Sequence, residues 1–120
     1  MNWQTISLEL ASTREFPAGS AARAFLLRLP LHNDGSIDEA EVAHHPSRAT
    51  VRRFWPSEAD SSGRIVRCSS GWECRCGQRG KEHVAFHLPP QPLRLGEQIV
   101  MTDPSGRELP FRIASMSRLS

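Results

Sequence analysis

Hydrophobic side chains recur at every second position near the start of the chain, where Ile6, Leu8 and Leu10 alternate with Thr5, Ser7 and Glu9. A period of two belongs to a strand with one face buried and the other in solvent. After the turn-rich connector STREFPAGS the alternation returns, with Phe25, Leu27, Leu29 and Leu31 set against Ala24, Leu26, Arg28 and Pro30. SAARAFLLRL also contains good helix formers, but the regular spacing and Pro30 favour a second strand.

HNDGS is a turn signal, since Asn, Asp and Gly tolerate positive φ. In the following IDEAEVAHHP, Asp38 can cap a helix, Glu39 and Glu41 suit its first turn, and Pro46 closes it, so one short helix is predicted near residues 38–45. RATVRRFW reads as a strand ended by Pro56, and PSEADSSG as a polar loop. From Gly63 the pattern is a meander: GRIVRC, GWECRC and EHVAFHL are strands separated by the turns SSG and GQRG. PPQPLRLGE has too many prolines for a sheet interior. EQIVMT and RELPFRIASM, joined by DPSG, form a last hairpin whose apolar row is Leu109, Phe111 and Ile113. The whole predicts an all-β, mainly antiparallel fold: a small, partly open barrel or sandwich of about six to eight strands. Closure would remove exposed strand edges.

The 120 residues suit one domain over 1–120, and 38% hydrophobic with 23% charged residues excludes wholesale disorder. The longest apolar run falls far short of the roughly 18 residues needed to cross a bilayer, so no membrane partner is expected. MNWQTISLELAS lacks the basic and apolar segments of a secretory signal, which predicts a cytoplasmic protein with its three cysteines reduced. Net charge is only +2 but uneven: residues 48–81 carry seven arginines and one lysine against three acids.

CRCGQRGKEHVAFH raises the question of a metal site. His83 and His87 on one strand would stand about 13 Å apart, too far for a single zinc ion. Cys74, Cys76 and His83 are the easiest ligands to unite. That requires a two-residue turn at Gln78 and Arg79, which sets Cys74 opposite His83. A five-residue loop from Gly77 to Lys81 instead sets Cys76 opposite Glu82, Cys74 opposite Val84 and Trp72 opposite Phe86. The second register puts the apolar rows on one face, as a shared core demands. It makes the cysteines small core or rim residues and turns both histidines outward, so no metal ligand set is expected. No motif calls for a cofactor. No catalytic residue stands out either, because nothing places an activating base beside a thiol. His44 and His45 suit the C-terminus of the helix.

Arginine interleaved with aromatic side chains on a β-surface can hold single-stranded nucleic acid through phosphate neutralisation and base stacking. The candidate binding residues are Arg52, Arg53, Phe54, Trp55, Arg75, Arg79 and Lys81. The bland alternative is that the arginines are simply the solvated face of amphipathic strands. The competing functions are a protein-interaction or self-associating module and, behind it, a small-ligand barrel or enzyme.

Overall fold

A computed structural model describes residues 2–77 and 81–119. Eight antiparallel strands follow one another around a closed barrel in chain order: β1 (Trp3–Leu10), β2 (Ser20–Pro30), β3 (Thr50–Phe54), β4 (Ser61–Cys68), β5 (Gly71–Cys76), β6 (His83–Leu88), β7 (Gln98–Thr102) and β8 (Glu108–Arg118). β8 returns to pair with β1 and closes the ring. Each strand anticipated from alternation is present, and SAARAFLLRL is strand throughout. No helix among the described residues is long and apolar enough to cross a membrane.

The alternating rows all point into the barrel. Ile6 lies opposite Leu27 and Leu27 opposite Val51, while Leu8 lies opposite Phe25 on one side and Ile113 on the other. All of these side chains are buried, as are Leu109 and Phe111. An eight-stranded barrel is just wide enough for side chains to fill it. Phe25, Phe86 and Phe111 do so edge to face, with ring centroids 4.9, 5.2 and 6.5 Å apart.

The one α-helix among the described residues, α1 (Glu39–His44), lies between β2 and β3 in sequence and packs Val42 into the core. Asp38 caps it by accepting a hydrogen bond from the Glu41 amide at 3.1 Å. Pro46 ends α1 as anticipated and begins a single 3-10 turn, Pro46–Arg48. His44 hydrogen-bonds through Nδ1 to the Ala40 carbonyl at 2.9 Å, and His45 lies 3.3 Å from the Glu41 carboxylate. The turn residues behave as their chemistry suggests. Asp34 accepts from the Ser36 amide and hydroxyl, Asp103 from those of Ser105, and Gly35 and Gly106 take φ of 91° and 90°.

The β5–β6 register differs from the expectation. Trp72 pairs with Leu88 and Cys74 with Phe86, Arg75 pairs with Val84, and Cys76 pairs with His83. The shared apolar face does form, but through a bulge at Ala85 that inserts one unpaired residue into β6. Strict alternation cannot anticipate such an insertion. Its effect is to bring His83 opposite Cys76 rather than outward with His87. The loop proposed to set this register includes residues 78–80, which lie outside the described residues. The closure is thinnest at β6 and β7, joined by the single pair His87 with Thr102.

Candidate nucleic-acid interface

The basic and aromatic residues of the middle third separate into two groups on opposite sides of the barrel wall. Outward-facing positions of β2 to β5 come into line through the register: Arg28 pairs with Thr50, Thr50 with Arg64, and Arg64 with Arg75. In the next row Leu26 pairs with Arg52 and Arg52 with Ser62. Adjacent strands lie about 4.8 Å apart, so these guanidinium groups cover one patch roughly 15 Å wide. Between them runs an open trough of about 650 Å³, lined by Leu26, Arg28, Arg52, Ser62, Gly63 and Arg64 among others, with Glu82 as the one acid among the described residues of its lining.

Gly63 is required here for a steric reason. A Cβ on it would stand 1.7 Å from the Arg75 carbonyl oxygen, so β4 and β5 could not approach as they do.

Charge compensation differs among these arginines. Arg75 is paired with Glu73 at 3.0 Å. Arg28, Arg52 and Arg64 are exposed and, among the described residues, have no carboxylate within ion-pair distance. Arg52 also lies 5.1 Å from the centre of the half-buried Phe54 ring, a stacked pair on the outer surface.

Arg53 and Trp55 belong elsewhere. Arg53 points inward at one mouth of the barrel, where its side chain is only 17% exposed and pairs with Glu58 at 3.1 Å. Its guanidinium lies 4.5 Å from Trp55 and 5.9 Å from Phe86, and Arg23 continues the stack at 5.8 Å from Trp55 and 4.0 Å from Phe16. This Arg–aromatic pile lies at the mouth. Lys81 is exposed, whereas Arg79 lies outside the described residues.

The thiols are part of the packing. Cys74 and Cys76 face the core, and Cys68, half-buried, ends β4 at the opposite end of that strand. Burial pushes the Cys74 thiol pKa far up, and the neighbouring Cys76 adds to the effect. Burial also raises that of Cys76, against the opposing pull of a Ser61 hydrogen bond and the Arg53 charge. A thiol held protonated is a poor nucleophile and a poor metal ligand. His83 is exposed at the mouth beside Cys76, away from Cys74. Among the described residues no three His, Cys, Asp or Glu side chains gather in a metal-binding group.

Arg28 and Arg64 escaped the reading of the sequence. Arg28 showed only as a position off the apolar row of its own strand, Arg64 only as part of GRIVRC, and their alignment with Arg52 and Arg75 depends on pairing across four strands.

Compared with known proteins, the chain matches no family model, no curated protein and no solved structure.

Proposed function

We propose that the protein binds single-stranded nucleic acid along the outer face of β2 to β5. The observation that carries this reading is the line of Arg28, Arg64 and Arg75, with Arg52 beside it, in which three of the four cations lack a carboxylate partner among the described residues. A flexible polyanion supplies the missing counter-charges, and a trough without deep walls suits a backbone better than a compact ligand. The Phe54 ring under Arg52 offers a stacking surface at one end of the track. Arg53 and Trp55, drawn into the mouth of the barrel, take no part.

The test is a titration with a short mixed-sequence single-stranded oligonucleotide, read by amide NMR at low and moderate salt. Three phosphate contacts give a slope of log affinity against log salt of about −2. Shifts should cluster at Leu26, Arg28, Arg52, Ser62 and Arg64, and Arg28→Gln with Arg52→Gln should lower affinity together with the slope. Unchanged affinity in that double variant, or shifts elsewhere, would remove this reading.

A second reading, a protein-interaction module, is favoured by the thin β6–β7 seam together with Val100, 41% exposed on β7. Strand groups left unpaired there could accept an added strand. Protection of β6 and β7 amides on binding a partner would support it.

A further inference from the structure

On the other side of Arg64, away from the trough, the short helix α1 stands off the outer face of β4 and leaves a second cleft. It encloses about 590 Å³, within the range of small-molecule sites. Its walls are Ala40 and Ala43 of α1, Pro46, and Val66 of β4, with Ile65 and Trp72 below. Outward positions of a barrel usually carry polar side chains, yet Val66 is 39% exposed, and Ala40, Ala43 and Pro46 are exposed opposite it. The helical wall is fixed: Asp38 caps it, and Val42 anchors it in the core.

Two arginines stand at the rim, and their charge is disposed differently. Arg67 is engaged: its Nε donates to Glu39 at 2.8 Å, and its Nη1 donates to the Gly71 carbonyl at 2.6 Å and to the Cys68 carbonyl. Its guanidinium lies 5.5 Å from the Trp72 ring and is held there. Glu39 is thereby neutralised as well. Arg64 retains one positive charge with no carboxylate within ion-pair distance among the described residues. The rim therefore complements a single negative charge, and the walls complement an apolar body.

We infer that this cleft binds a small apolar monoanion, an aromatic or short acyl acid whose carboxylate rests on Arg64 and whose hydrophobic part lies between α1 and Val66. A guanidinium can take a carboxylate through two parallel hydrogen bonds, which fixes the orientation of the ligand. The site shares only Arg64 with the nucleic-acid trough and does not depend on that function.

The test uses naphthoate and its uncharged counterpart naphthylmethanol, each titrated into the full chain and followed by amide NMR. Naphthoate should give saturable shifts at Ala40, Ala43, Arg64 and Val66 and bind about tenfold more tightly than the alcohol, the order expected for one charge-assisted contact. Arg64→Gln should abolish the preference for the acid while leaving the alcohol's weak binding intact. Ala43→Trp should fill the cleft and abolish binding of both. Should that variant fail to fold, Val66→Glu, on the facing wall, should repel naphthoate. Shifts centred elsewhere, equal affinity for acid and alcohol, or undiminished binding in a folded cleft-filling variant would overturn the inference. Binding of naphthoate without any binding of oligonucleotide would uphold the cleft and discard the nucleic-acid reading, and the converse would do the reverse.

Discussion

Cys74 shows how a single side chain links packing to solution behaviour. It lies inside the barrel between Ile65 and Phe86, and burial raises its pKa, so the folded protein keeps a proton that the unfolded chain releases above about pH 8.5. A folded-state pKa raised above the unfolded value gives stability that is full below that point and falls as pH rises. Cys76 shifts in the same direction. The chain contains no tyrosine, so phenols do not titrate across the same window. Urea midpoints should therefore decline between about pH 8 and 10, and Cys74→Ala should flatten the decline while lowering overall stability. An equally steep profile in the variant would remove Cys74 as the cause. Asp34 and Asp103 act in the opposite window. Serine hydrogen bonds lower both pKa values, so their contribution is present above about pH 4 and is lost as pH falls through the folded values.

At the scale of the element, the tightest constraint is the approach of β4 to β5. Gly63 pairs with Cys76, and any Cβ there meets the Arg75 carbonyl oxygen and the Cys76 Cα. Both obstacles are main chain, which cannot rotate aside. Gly63→Ala should cost about 1 to 3 kcal/mol or more in equilibrium unfolding, in the range of overpacked sites. A change of a few tenths would show that the two strands separate cheaply.

For the whole molecule, closure is uneven. β1 is paired along its length with both β2 and β8, while β6 and β7 share one ladder pair. Local opening should begin where cross-strand hydrogen bonds are fewest. Native-state hydrogen exchange should therefore find β6 and β7 amides exchanging well before those of β1, β2 and β8. Uniform protection around the barrel would mean that the seam is as tightly held as the rest.

Strand positions, the inward rows, the Asp38 cap and the turns at Asp34 and Asp103 could all be read from the sequence, because each depends on residues a few positions apart. Alternation says which way a side chain points relative to its own backbone, and Ile6, Leu27, Leu109 and Phe111 obey it. The candidate site was legible only in part. Arg75 was visible as an outward arginine, but RATVRRFW left open which of Arg52 and Arg53 faces solvent, and Arg53 needed the barrel mouth, with Glu58, Trp55 and Phe86 around it, before its inward position made sense. The unpaired residue at Ala85 reset the β5–β6 register, because burial of Trp72, Cys74, Phe86 and Leu88 on one face outweighed strict alternation. The sequence by itself determined the strands and the side of each that faces the core, since both follow from local periodicity. Only the tertiary structure decided that Arg28, Arg52, Arg64 and Arg75 share one patch and that α1 opens a cleft beside Arg64, since both depend on register and packing between segments distant in the chain.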